Sequence, residues 1–192
     1  MAFDNVVNRI SALQGIYEVG CFDLDGRVGV VLSEVPNLSL TQIVIWPENI
    51  KHLALELKTK YEIVTNLLDR RVAHGNKAVL LQVGPSRWWC YGISELYEIP
   101  AEHGVSLDLS HSLVQLRLSG DAARQCLNRL IPIDLRPSAC GVDSLFSTSL
   151  HHVGVTIWHS KEGFQIFVPR GVACDIWTIL RKTSEQFGLE II

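Results

Sequence analysis

DLSHSLVQLRLSGDAARQCLNRLIPIDL, residues Asp108 to Leu135, joins a strand, a polar corner and a helix start in one short run. Val114, Leu116 and Leu118 alternate with Leu113, Gln115 and Arg117, which predicts a half-buried strand. Ser119-Gly120-Asp121 breaks that period, and a Ser119 or Asp121 oxygen is placed to accept from the free amides of a following helical turn. Ala122, Ala123, Cys126, Leu127 and Leu130 then recur at helical spacing, leaving Arg124, Gln125, Asn128 and Arg129 on the wet side. The unit is a strand feeding a packed helix.

Downstream, Val153 to Trp158 and Phe164 to Val168 flank Ser160-Lys161-Glu162-Gly163 and read as a hairpin, with Leu145 to Leu150 a weaker strand before it. A helix is predicted from about Val172 to Phe187, with Val172, Ile176, Ile179, Leu180, Thr183 and Phe187 on one side, and Leu189 to Ile192 closes the chain as a strand. Strand, helix, strands, helix, strand is the split β-α-β order. The expected class is α+β, antiparallel sheets with helices on one face.

Upstream, a short helix is expected over Asp4 to Leu13, ended by Gly15. Strands follow at Val28 to Leu32 and Thr41 to Trp46, separated by Pro36-Asn37. Pro47 opens a second helix whose stripe is Ile50, Leu53, Ala54, Leu57 and Tyr61, with Glu48, Lys51, Glu56, Lys58 and Lys60 on a solvated face. Asp69 to Lys77 reads as a loop, Ala78 to Val83 and Arg87 to Tyr91 as a hairpin across Gly84-Pro85-Ser86, and Ile93 to Gly104 as a connector. The chain divides into an N-terminal α+β part, residues 1–104, and a ferredoxin-like part, residues 105–192, which one continuous domain could also contain.

The 192 residues are 47% hydrophobic, enough for a substantial core. With 17 basic and 20 acidic residues, and no basic cluster interleaved with aromatics, the chain offers no field for a phosphate backbone, so no nucleic-acid partner is expected. The start has neither a signal-peptide pattern nor a membrane span, which predicts a cytoplasmic protein with no membrane partner. The five cysteines are far apart and form no CxxC; Cys126 and Cys174 read as small apolar filler in helices.

Asp108, Ser110 and His111 bring together the residue types of a nucleophilic triad. On a strand, however, neighbours point to opposite faces, so Ser110 and His111 would not share a hydrogen bond. Asp108 and Ser110 are better placed to bond turn amides. His151-His152 and His159 lack a convergent carboxylate or thiolate and read as a turn beside a hairpin. Trp46, Trp158 and Trp177 sit in apolar patterns as core candidates. Trp88-Trp89 is different: on a strand one ring faces the core and the other faces out, to be covered by a partner or by this chain's own connector.

The Asp108-x-Ser110-His111 run followed by Ser119-Gly120-x-Ala122 resembles the aminomethyltransferase, or folate-binding, fold of the glycine cleavage T-protein. Further pieces resemble the gamma subunits of heterotetrameric sarcosine oxidases. They are Pro132-Ile133-Asp134-Leu135-Arg136-Pro137, Val155-Thr156-Ile157-Trp158, Phe164-Gln165-Ile166-Phe167-Val168 before Arg170, Trp177, and Gly84-Pro85-Ser86-Arg87-Trp88. The similarity runs from about Gly84 to Gly188, and its motifs are specific as an ordered set.

This resemblance implies a non-catalytic subunit serving assembly and stability, with alpha, beta and delta partners. The family's complex is an oxidoreductase that converts sarcosine to glycine, hands the methyl carbon to tetrahydrofolate and passes electrons to oxygen. FAD, FMN, NAD, tetrahydrofolate and zinc are implied for the partner subunits and none for this chain. No GxGxxG after a strand, Walker loop or helical histidine pair occurs here.

Two positions depart from the folate-binding relatives. Their Gly-rich Asp-Asp turn is Gly141-Val142-Asp143-Ser144 here, with one acid, and the family's Arg-Ser before the last helix is Arg170-Gly171. No catalytic, cofactor or metal residues are therefore expected, and Trp88, Trp89 and Arg170 are the candidate partner contacts. Two other readings carry the same residues: a stand-alone folate-dependent aminomethyltransferase, and a gamma-like subunit of an N-methyl amino acid or methylamine-type dehydrogenase.

Overall fold

A computed structural model describes residues 9–22, 26–62, 71–93 and 99–192. In chain order the elements are β1 (Gly20–Phe22), β2 (Val30–Val35), β3 (Leu40–Ile45), α1 (Ile50–Tyr61), β4 (Val72–His74), β5 (Val79–Gly84), β6 (Arg87–Tyr91) and β7 (Gly104–Asp108). They continue as β8 (Leu113–Ser119), α2 (Ala123–Asn128), β9 (Leu145–Leu150), β10 (Val153–Ser160), β11 (Gly163–Pro169), α3 (Ala173–Glu185) and β12 (Leu189–Ile191). None of the described helices is long and apolar enough to cross a membrane.

Two sheets result, ordered β1-β12-β2-β8-β11-β10-β9 and β4-β5-β6-β3-β7. The second is built wholly from residues 40–108, which lie between two neighbouring strands of the first. Residues on either side of 104/105 are thus interleaved in the seven-stranded sheet. Stripped of β1 and β2, that sheet has the strand order of the split β-α-β unit, with β2 inserted between β12 and β8. The insertion creates the one parallel pair, Leu189 to Ile191 beside Val30 to Leu32; the other described pairs are antiparallel, as expected.

Alternation decides what each face meets. Val114, Leu116 and Leu118 of β8, Val155 and Ile157 of β10, and Phe164, Ile166 and Val168 of β11 pack under α2 and α3 with Cys126, Leu127, Ile176, Trp177 and Leu180. In the five-stranded sheet, Ile43, Ile45, Leu80, Trp88 and Cys90 pack under Leu53 and Leu57 of α1. The opposite faces of both sheets meet each other: Leu40, Leu81 and Trp89 touch Leu145, Trp158 and Phe167. The order of layers is helix, sheet, sheet, helix, and each sheet has its helices on one face.

Gly120 shows why the polar corner needs glycine. Its φ is +98°, and a Cβ there would lie 2.5 Å from the Gly29 carbonyl oxygen. That close approach docks the β8–α2 corner on the chain entering β2, where the Ala122 amide donates to Gly29 O at 2.8 Å.

Several expected details are corrected. Residues 4–8 of the Asp4 to Leu13 helix lie outside the described residues, and residues 9–13 are not helical; turns span 12–16. Neither Ser119 nor Asp121 caps α2, which starts at Ala123 with no side-chain cap because backbone bonds to Gly29 and Gly120 take up its first amides. The Asp69 to Lys77 loop contains β4, three residues long and too short to show alternation in sequence. The Ile93 to Gly104 connector ends in β7, and its residues 94–98 lie outside the described ones, as do residues 69–70 of the loop.

Trp46 is 40% exposed and donates to Ala101 O at 3.2 Å; it follows β3 and so escapes the core. Cys174 is exposed at the start of α3, its thiol on Ala12 O. Arg124 is half-buried, donating to Leu135 O and Cys140 O and so tying the loop after α2 to that helix. In α1, Glu48 and Lys51 are exposed as expected; the side chains of Glu56, Lys58, Lys60 and Tyr61 lie outside the described set.

Candidate functional site

Gln115 and Arg117 alternate with the apolar residues of β8, so sequence alone assigns their face to water. The second sheet covers that face, and Gln115 is only 1% exposed, as is Gln165 on the neighbouring β11. Buried amides need partners. Gln115 Nε2 donates to Gln165 Oε1 at 2.7 Å and to the Tyr91 hydroxyl of β6 at 3.3 Å, while Gln165 Nε2 donates to Ser160 Oγ at 3.0 Å. Ser160 Oγ also accepts from the Glu162 amide and donates to Gly163 O, which holds the β10–β11 turn. Arg117 pairs with Glu162 at 2.6 Å.

This network walls a cavity of about 240 Å³ lined by His74, Tyr91, Trp158, Ser160, Lys161, Glu162 and Gln165. His74 and Tyr91 come from the five-stranded sheet and the others from the β10–β11 hairpin, all from inward-facing register positions or the turn. Trp158 stands edge-on to Tyr91, centroids 5.9 Å apart, with the His74 ring 6.0 Å away. At the rim, Asp143 accepts from His74 Nε2 at 2.8 Å and from Trp158 Nε1 at 3.3 Å. The one acid of the Gly141-Val142-Asp143-Ser144 turn thus ties one sheet to the other.

Asp108, Ser110 and His111 do not form a triad. Ser110 and His111 lie in the turn between β7 and β8, not on a strand. The Ser110 amide donates to Asp108 Oδ1 at 2.8 Å, and Ser110 Oγ accepts from the Leu40 amide at 3.0 Å. The bonds from Ser110 hold the Asp108 carboxyl below its ordinary range. These residues pin β7 and β8 to β3, as expected of turn-bonding side chains.

His151 and His152 occupy the β9–β10 turn, while His159 stacks on Phe164 at 4.5 Å and bonds Gly141 O. Among the described residues, no group of three or more metal-ligating side chains assembles. Burial pushes the Cys90 thiol up to about 11 and raises Cys126 as well, so both stay protonated and unreactive at neutral pH.

Trp88 and Trp89, read either as partner contacts or as covered by this chain, are both buried within it. Trp88 is 1% exposed under α1, and Trp89 is 8% exposed against Phe167, edge-on at 5.4 Å. Trp88 lies under α1 in a cluster that Ile93 and Ile99 of the connector also pack against, and Trp89 lies between the two sheets. Arg170 is half-buried and donates to Ile10 O, fastening the N-terminal segment to the start of the last helix. His74, Tyr91 and Gln115 lie in no sequence motif, and Gln165 lies in one only as part of Phe164–Val168. Their only signal was a polar residue repeated on one face of β8 and β11.

No family model matches the sequence. In three dimensions the chain overlays on a chain of the heterotetrameric sarcosine oxidase from Corynebacterium sp. U-96 in complex with pyrrole 2-carboxylate, with a TM-score of 0.75 at 24% identity, covering 93% of this chain and 96% of that one. The glycine cleavage system aminomethyltransferase T from Bartonella henselae follows at a TM-score of 0.56 and 16% identity, over 86% of this chain and 48% of that one. These likenesses establish the aminomethyltransferase-like fold. In sequence, the gamma subunit of sarcosine oxidase from Corynebacterium sp. (strain P-1) is 39% identical over 69 residues, 36% of this chain and 34% of that protein. Over that stretch the chain is similar to sarcosine oxidase gamma subunits. The gamma subunit from Arthrobacter sp. is 38% identical over a stretch of the same length. The sequence match thus spans about a third of the gamma subunits' length, while the shared fold runs over nearly the whole chain.

Proposed function

We propose that this chain is the gamma subunit of a heterotetrameric sarcosine oxidase-type complex, contributing assembly and stability to an oxidoreductase whose chemistry resides in its partners. The observation that carries this reading is the fold overlay on a chain of such a heterotetramer, nearly end to end in both chains. In this reading the alpha, beta and delta partners hold FAD, FMN, NAD, tetrahydrofolate and zinc, and the complex oxidises sarcosine to glycine.

A folate enzyme is less well supported by the residues present. The inter-sheet cavity, at about 240 Å³, falls below the size of sites that enclose drug-sized ligands. Of its two nearby acids, Asp143 is already bonded to His74 and Trp158, and Glu162 to Arg117.

With Trp88 and Trp89 buried, the docking surface passes to other residues. β7 is the edge of the five-stranded sheet, and its Val105 and Leu107 are 49% and 55% exposed. An open edge with apolar side chains is a template for pairing with another chain. Arg170 keeps a half-exposed guanidinium as the remaining polar contact of the original three.

The test is to prepare the complex from co-expressed genes with and without this chain. Loss of assembled complex with unchanged turnover per flavin in what remains is the expected result. Tight tetrahydrofolate binding by the chain alone would contradict it.

A further inference from the structure

We propose that the inter-sheet cavity is a binding site for a small planar carboxylate. The inference goes beyond the assembly role and does not depend on it. Its first support is the state of the donors. The Tyr91 hydroxyl accepts the Gln115 amide, so its own proton is left to donate elsewhere. Gln165 Nε2 commits one of its two protons to Ser160. Lys161 lies at the mouth with no carboxylate partner among the described residues.

The negative groups, by contrast, are spent. Glu162 is paired with Arg117 at 2.6 Å, and Asp143 with His74 at 2.8 Å. Three donor-bearing residues line a cavity whose nearby acids already have hydrogen-bonding partners, an arrangement that suits a carboxylate. Trp158, Tyr91 and His74 supply flat apolar wall for the body of the ligand. A volume of about 240 Å³ equals roughly eight waters at about 30 Å³ each, which fits a single ring with one acid group.

The second support is the wall itself. Two glutamines 1% exposed between sheets are costly where leucines would pack, and Gln115 Oε1 is left without a partner. Local rules of this kind are broken at functional sites. Here the breach has an evident use: Gln115 donates to the Tyr91 hydroxyl and to Gln165 Oε1, and so holds two of the polar groups that line the cavity.

Benzoate is the probe, with benzyl alcohol as the uncharged match in size. The full chain, in whatever assembled form it purifies, is titrated by calorimetry and by ligand-observed NMR. Saturable benzoate binding in about the millimolar range is expected for so few atoms. Lys161→Met and Tyr91→Phe should each weaken it about tenfold, and benzyl alcohol should bind weaker by a similar factor. Lys161 sits on an exposed turn, so its variant folds whatever becomes of Tyr91→Phe. Absence of saturation, equal binding of the alcohol, or unchanged benzoate binding by Lys161→Met would overturn the proposal.

Discussion

The two faces of the seven-stranded sheet are built on opposite principles. Under α2 and α3 the layer is nearly all apolar, with Leu116, Ile157, Ile166 and Leu180 fully buried and the Ser184 hydroxyl bonded to the Cys126 thiol. Across the other face, where the sheets meet, Trp89, Trp158 and Phe167 share their layer with Gln115, Gln165 and Tyr91. An apolar layer specifies the fold through shape and buried area. A polar layer adds little net stability unless every partner is present, so its retention points to a role other than holding the sheets together.

Substitutions can break this contrast, and the largest effect lies on the apolar side. Trp177→Ala should cost about 3–5 kcal/mol in chemical denaturation, because the ring is 1% exposed beneath α3. A loss below about 1 kcal/mol would show that the helix layer is not the close-packed body described here. Gly120→Ala should cost about 1–3 kcal/mol, since its φ of +98° is strained for any side chain and the Cβ strikes the Gly29 backbone. Wild-type stability in that variant would remove the β8–α2 corner from the account.

The polar side gives a pair of opposed results. Gln165→Leu alone leaves the Gln115 amide only its longer bond to the Tyr91 hydroxyl and should cost about 1–3 kcal/mol, whereas adding Gln115→Leu should restore stability to near or above the starting value. If the two losses simply add, the inter-sheet layer is held by its hydrogen bonds, and the contrast with the apolar face disappears.

The smallest effect is acidic. Asp108 has its pKa depressed in the folded state by bonds from Ser110. Its contribution is present above the unfolded carboxylate value of about 3.9 and is lost as pH falls through the lower folded value. Asp108→Asn should therefore slightly flatten the acid limb of a stability profile and leave the neutral region nearly unchanged. The carboxyl is mostly solvent-facing, so a large change at pH 7 would contradict the assigned cause.

The same contrast explains what could be read from the sequence. The seven-residue alternation of β8, the hairpin at Ser160 to Gly163 and the helix after Pro169 are local patterns, and they stand where expected. Strand alternation names two faces but cannot say whether the polar one meets water or another sheet. That is why β8 reads only as half-buried and the cover of Trp88-Trp89 stays open between a partner and this chain, when the second sheet buries Gln115 and the chain's own layers bury both tryptophans. Pairings across long separations are equally silent in local pattern: β2 between β12 and β8, or His74 beside Asp143 across 69 residues. The aminomethyltransferase-like corner was legible because its glycine and turn acids have local jobs. The cavity was not, because its residues come from four separate strands and a turn.

The central claim is that this chain works as one member of a larger flavoprotein assembly. Native mass spectrometry of the chain co-expressed with its candidate alpha, beta and delta partners tests it most directly. The account predicts a single species with one copy of each subunit, carrying bound flavin and including this 21.5 kDa chain. A fully formed flavin-bearing complex that excludes it, with the chain recovered as a stable monomer, would contradict the account.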